Sequence, residues 1–201
     1  MHLARAEASP VHVRGWELPL TRFLVGLDLG QAQDFTALVV LERDGDGYQL
    51  RHAERFRGRA YPDVVSHVVT LLGRPPLAGA STLAVDGTGV GVAVVDLFRR
   101  APLLARLVPI SIHGGSVVTE DASGISVPKR DLALVLHLLL GTGRLRIARG
   151  LPHARTLAEE LINFVVTVSP TGHESFAARR AGDHDDLVLA VALAAWTGER
   201  S

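Results

Sequence analysis

Short apolar runs separated by turn-forming clusters recur along the chain, and their spacing predicts a mixed α/β domain. Phe23–Leu29 is an apolar run broken by one charge, Asp28, and closed by Gly30; after the polar stretch Gln31–Asp34 a second run covers Thr36–Leu41. Both have the length and aliphatic content of strands, and Asp44-Gly45-Asp46-Gly47 supplies the turn that follows. Tyr48–Phe56 alternates well enough for a third strand returning antiparallel, its polar residues suggesting an outer position. The three form an antiparallel meander.

Beyond it the period changes. Asp63–Leu72 has helical apolar spacing, with Pro62 suited to a first turn and Gly73 to a stop. Ser81–Asp86 reads as a short buried strand, Val90–Arg100 as a helix and Leu107–Ile112 as a strand, an alternation that asks for parallel strands with right-handed crossovers. His113–Val127, with Gly114, Gly115, Gly124 and the following Pro128, predicts a loop or mobile hairpin. Then come a helix at Arg130–Leu140, a short extended piece at Arg144–Ile147, and a helix at Leu157–Phe164 carrying Glu159 and Glu160. Val165–Val168 and Ser175–Ala178 can pair as a small hairpin. The last helix, from about Asp185 to Trp196, is apolar nearly all round and therefore expected to be buried on the sheet. No repeat of fixed period is present, so one domain over 22–198 is expected, after a lead-in at 1–21 and before a short tail at 199–201.

Composition narrows the chemistry. The 201 residues carry 21 basic and 21 acidic side chains and no cysteine, which excludes a disulfide scaffold, a thiol nucleophile and a thiolate zinc site. The longest apolar runs, Leu132–Leu140 and Leu187–Ala195, fall short of the ~20 residues a membrane helix needs. The first twenty residues show no secretory or transit pattern, so a cytoplasmic location and no membrane partner are expected. Lys129 is the only lysine, and it stands in Val127-Pro128-Lys129-Arg130; without a Gly-Lys-Ser/Thr triplet the chain has no Walker A phosphate loop. Neutral net charge argues against indiscriminate coating of nucleic acid and leaves open a local arginine-lined groove.

Three acidic points fall where this topology brings chain ends together: Asp28 in the first strand, Asp86 at the end of the fourth, and Asp183, Asp185 and Asp186 before the last helix. Singly, each has an ordinary structural reading: a strand-end residue, an Asx turn, a helix cap. Together they form a carboxylate set whose mutual repulsion a divalent cation relieves most simply. Oxygen-only donors favour Mg²⁺ or Mn²⁺.

Four segments carry a family resemblance: Val25–Ala37 (VGLDLGQAQDFTA), Leu83–Gly91 (LAVDGTGVG), Val127–Leu132 (VPKRDL) and His184–Ala190 (HDDLVLA). In order, they resemble the nuclease domain of tailed-phage terminase large subunits, over about residues 22–198. The resemblance implies an RNase H-like (RuvC-like) fold: the meander plus parallel strands, flanked by helices. It implies an endonuclease that cuts double-stranded concatemeric viral DNA during packaging, with two Mg²⁺ or Mn²⁺ ions. It also implies the family's partners, namely a packaging ATPase domain, the small terminase and the portal. By the same resemblance Asp28 and Asp86 are the first- and fourth-strand ligands, and Asp185 with Asp186 supplies the third. Lys129 is the candidate cation for the phosphate. His184 is an accessory beside Asp185, and Arg130, Arg179 and Arg180 are candidates for DNA-backbone contacts. Without a Walker A motif the chain reads as a nuclease domain separate from its motor, and Phe35 stands where a small residue or proline is expected. The alternatives are a RuvC-like Holliday-junction resolvase, a catalytically silent RNase H-like module that binds DNA or a partner, and, disfavoured by size, one half of an actin-like ATPase.

Overall fold

A computed structural model describes residues 21–31, 34–168, 174–178 and 184–201. All but the last residue of the expected lead-in lies outside them. The first apolar run forms β1 (Phe23–Asp28), the second β2 (Thr36–Asp44) and the third β3 (Gly47–Phe56), paired as an antiparallel meander. After α1 (Tyr61–Leu72) the chain crosses to β4 (Ser81–Asp86), which lies parallel to β1 on its other side. Helix α2 (Gly91–Arg100) then leads to β5 (Arg106–His113), parallel to β4. The first strand is thus central, with the antiparallel meander on one side and parallel strands on the other.

At the sheet's edges the loop or hairpin expected after β5 joins the sheet, and the place of the third strand changes. The region after β5 is a hairpin, β6 (Thr119–Asp121) and β7 (Gly124–Pro128), turned by the Asp121 carboxylate, which accepts the Ser123 N–H at 2.7 Å. β7 extends the sheet parallel to β5, because Ile125 and Val127 are buried in the same core. The third strand is not outermost. Following α3 (Lys129–Gly141), β8 (Leu145–Ile147) pairs in parallel with Tyr48–Leu50, held by the Tyr48 N–H donating to the Arg144 carbonyl at 2.7 Å. The eight-stranded order is β6-β7-β5-β4-β1-β2-β3-β8. Next come α4 (Ala154–Asn163) and the hairpin of β9 (Phe164–Val168) and β10 (Glu174–Ala178), which stands as a separate two-stranded sheet. The closing helix is α5 (Asp186–Glu199).

Side chains alternate between the faces of a strand, and here both faces are covered. Phe23, Val25 and Leu27 of β1, with Leu83 and Val85 of β4, pack under α1 and α2. Leu24, Ala84, Ala37 and Val39 face α3, α4 and α5. Helix α5 is buried from Asp186 to Gly198, as its all-round apolar sequence requires. It reaches β1 through Gly26, where a side-chain carbon would overlap the Ala190 carbonyl. That close approach fixes where the start of α5 meets the end of β1.

Gly26→Ala is expected to lower stability by about 1–3 kcal/mol in urea denaturation, the range for forcing a methyl into a packed core. Gly141→Ala, whose added methyl would enter open space, is expected to stay within about 0.5 kcal/mol of the parent. Equal midpoints for the two variants would show that the Gly26 contact does not seat α5.

Candidate active site

The site is assembled by strand register. β1 and β4 run parallel with Leu27 opposite Val85, so Asp28 and Asp86 end the two strands side by side. By alternation both share the face of Gly26 and Ala84, which α5 covers. Asp28 is buried, with 8% of its surface exposed. Burial, then repulsion from Asp86, Asp186 and Asp185 in that order, pushes its carboxyl well above the ordinary value, and Lys129 opposes this. A buried carboxylate among three others is neutralised either by a proton or by a cation.

Asp86 has two roles. Its Oδ1 accepts the Thr88 N–H at 2.8 Å, the Asx turn that the sequence Asp86-Gly87-Thr88-Gly89 allows, and it also faces Asp28. Burial raises its carboxyl, while the Thr88 hydrogen bonds and the Lys129 charge pull it down.

Pro128 ends β7 and Lys129 begins α3, which aims the only lysine into the cluster: its Nζ donates to Asp185 Oδ2 at 3.2 Å. Asp185 occupies the N-cap position of α5 but its side chain makes no capping bond. Asp186, the first residue of the helix, accepts a hydrogen bond at Oδ2 from Arg55 Nη2 at 2.7 Å. His184 Nδ1 lies 3.8 Å from the same oxygen, and its ring meets Phe35 edge-on at 5.2 Å. Burial raises the Asp186 carboxyl, with Arg55 and His184 opposing.

Asp28, Asp86, Asp185, Asp186, Lys129 and His184 are therefore brought to one end of the sheet. Arg130 is not: its guanidinium donates to the Ser116 carbonyl at 2.9 Å and pairs with Asp131 at 3.4 Å, bracing the β6–β7 region. Asp183, Arg179 and Arg180 lie outside the described residues.

Sequence reasoning missed Arg55 and Glu160. In the register Asp28 opposes Ala37 and Ala37 opposes Arg55, so one row across the sheet reads Asp86, Asp28, Ala37, Arg55. The pairing of the meander was the signal that could have found Arg55. Its guanidinium lies 3.9 Å from the Phe35 ring centroid. Glu160, on α4, is buried, and its Oε2 accepts the Leu187 and Val188 N–H groups at 3.0 and 3.1 Å. It therefore caps α5 from outside. Burial pushes its carboxyl up to about 7, against the pull of those N–H groups and of Arg55.

The donors are all carboxylate oxygens, and four of them outnumber the two cations that touch them, which suits a hard divalent ion. As arranged here, Asp186 is held by Arg55 and Asp185 by Lys129. Among the described residues no three His, Asp or Glu side chains converge on a single ion position. The set suits a divalent ion in donor type and charge, while its present arrangement engages Asp185 and Asp186 with Lys129 and Arg55.

Comparison with known proteins agrees with this architecture. The family model described as terminase RNaseH-like domain matches residues 25–195. The large terminase nuclease from thermophilic phage G20c, solved with bound magnesium, superposes with a TM-score of 0.65 at 24% identity, over 90% of this chain and 82% of that one. The large terminase nuclease domain of Thermus phage P74-26 does so with a TM-score of 0.61 at 23% identity, over 88% and 80% of the two chains. For the large terminase nuclease domain of bacteriophage SPP1, solved with bound manganese, the TM-score is 0.55 at 12% identity, over 88% and 86%. No curated protein sequence matches the chain. With the family model covering most of its length and the RNase H-like sheet in place, the chain belongs to the terminase RNaseH-like domain family.

Proposed function

We propose that this domain, taken as residues 22–198, is a metal-dependent endonuclease that cuts double-stranded concatemeric DNA during viral genome packaging. The observation that carries the reading is Asp28: a carboxylate buried in the central strand and pressed by Asp86, Asp186 and Asp185. Such a cluster has no packing value of its own, since burying charge without a partner destabilises a fold. That phage relatives were solved with magnesium or manganese bound supports the reading of a divalent-cation site.

Asp28, Asp86, Asp185 and Asp186 would hold two ions of Mg²⁺ or Mn²⁺, which when bound supply an activated water and neutralise charge at the scissile phosphate and the leaving oxygen. The chain's own groups set the rest. The Asx turn at Asp86 fixes that carboxylate at the strand end, so it presents the same face to each substrate. Lys129, about a quarter exposed, is positioned to exchange Asp185 for a DNA phosphate. His184, half-exposed and 3.8 Å from Asp186, would act as an accessory group at the solvent side of that carboxylate. Arg130 acts indirectly, by bracing the hairpin, and Asp183, Arg179 and Arg180 are proposed as flanking contacts. The proposed partners are those the resemblance implies: duplex DNA, a packaging ATPase, the small terminase and the portal, met in the host cytoplasm. Among the described residues no helix is long and apolar enough to cross a membrane.

The reading makes a cleavage prediction. Nicking and linearisation of supercoiled plasmid should require Mn²⁺ or Mg²⁺ and stop in EDTA. Asp28→Asn and Asp86→Ala should each reduce the rate by more than the ~10–100-fold typical of losing an outer-shell partner, with circular dichroism unchanged. A variant that cuts at the parental rate would remove that residue from the site.

It also makes a stability prediction with a definite sign. Folded Asp28 keeps its proton to higher pH than the unfolded chain, so from about pH 4 upward the folded state binds more protons and stability falls as pH rises. In EDTA the melting temperature of the wild type should drop relative to Asp28→Asn over that interval. Mn²⁺ at neutral pH should raise the wild type and leave Asp28→Asn unmoved. Parallel pH curves for the two proteins would mean that folding does not raise the Asp28 carboxyl.

A further inference from the structure

Among the described residues, two buried polar atoms at this site have no hydrogen-bond partner: the Nε of Arg55 and the Oε1 of Glu160. They are a donor and an acceptor, and they belong to side chains already near contact, with Arg55 Nη2 3.6 Å from that same Glu160 oxygen. Unmade hydrogen bonds at buried atoms are rare and destabilising. Here the unused donor and the unused acceptor are complementary. An arginine presents Nε–H and one Nη–H as a fork matched to a carboxylate. In this structure Arg55 uses Nη2 alone, on Asp186.

We propose that Arg55 is a positioning residue that exchanges between Asp186 and Glu160, with Glu160 receiving the guanidinium when Asp186 turns to a divalent cation. This rests on the nuclease reading above and goes beyond it, since neither residue is one of the proposed ligands. Three features make the exchange short. Glu160 is anchored at Oε2 by the α5 N–H groups of Leu187 and Val188, so Oε1 stays in place one residue away from Asp186 along the helix. The Arg55 Cζ lies over the Phe35 ring, 3.9 Å from its centroid, so a small change in the side-chain torsions can re-aim the guanidinium while it stays above the ring. Both side chains are nearly sealed from water, with 11% of Arg55 and 6% of Glu160 exposed, so each needs the other once Asp186 is withdrawn. Phe35, which departs from the expected family pattern, thereby acquires a role as the surface on which Arg55 moves.

A double-mutant cycle on Mn²⁺ binding, measured by titration calorimetry on the intact chain, tests this. Glu160→Gln should weaken Mn²⁺ binding about tenfold or more, the scale of losing an outer-shell partner, because Arg55 then has no charged acceptor and stays on Asp186. In an Arg55→Gln background, where Asp186 is free, Glu160→Gln should have no effect on affinity. Equal losses in both backgrounds would overturn the exchange. A second measurement needs no Glu160 variant: the Arg55 Nε–Hε NMR resonance of the wild type, identified by its loss in Arg55→Lys, should move downfield on adding Mg²⁺. A stationary resonance while calorimetry shows Mg²⁺ binding would overturn it as well. Failure of the underlying reading looks different: a wild type that binds no Mn²⁺, or binds it equally after Asp28→Asn, would remove the metal site and the exchange with it.

Discussion

The burial of Asp28 under helix α5 is the constraint on which the remaining architecture turns. A carboxylate buried at the end of a central strand is unfavourable by itself, and it is surrounded by three more of like charge. The fold meets this by bringing Lys129 to Asp185 and Arg55 to Asp186, and by pointing the start of α5 at the cluster. A helix N-terminus carries partial positive charge, which favours anions near it. Gly26 belongs to the same device. By letting the α5 backbone approach β1, it sets the distance between the strand that carries Asp28 and the helix that carries Asp186.

Much of this is legible in the sequence, and for identifiable reasons. The strands starting at Phe23, Thr36 and Ser81 follow from apolar runs bounded by turn-forming residues, and α5 from a run with no polar face. Asp28, Asp86 and the Asp185–Asp186 pair were visible because each interrupts or terminates an apolar pattern. Arg55 and Glu160 interrupt nothing. Arg55 sits in a strand whose polar positions alternate in the usual way, and Glu159-Glu160 resembles a solvated helix face, as Glu159 in fact is, paired with Arg155. Their placement depends on register and on how α4 meets α5, which are long-range properties.

The edges of the sheet were hidden for a related reason. β8 has only three residues, too few to show a period, and it was the pairing of Tyr48–Leu50 with Leu145–Ile147 that removed the third strand from the outside. β7 was legible as part of a hairpin but not as a strand parallel to β5, because two strands sharing a parallel edge leave no local turn signature between them.

The start of α5 shows how the acidic pair is made available for chemistry. An aspartate at a helix N-cap ordinarily spends its side chain on the free N–H groups of the first turn, and on that reading Asp185 and Asp186 would be merely structural. The N–H groups of Leu187 and Val188 are instead satisfied by Glu160 from a different helix. Asp185 therefore makes no capping bond, and both aspartates direct their carboxylates toward basic partners and toward Asp28. Transferring the cap to α4 separates two tasks that one residue cannot perform together, ending a helix and serving a charged site. It also ties the orientation of α4 to the carboxylates, so that a shift of Glu160 is felt at Asp186 through the first turn of α5.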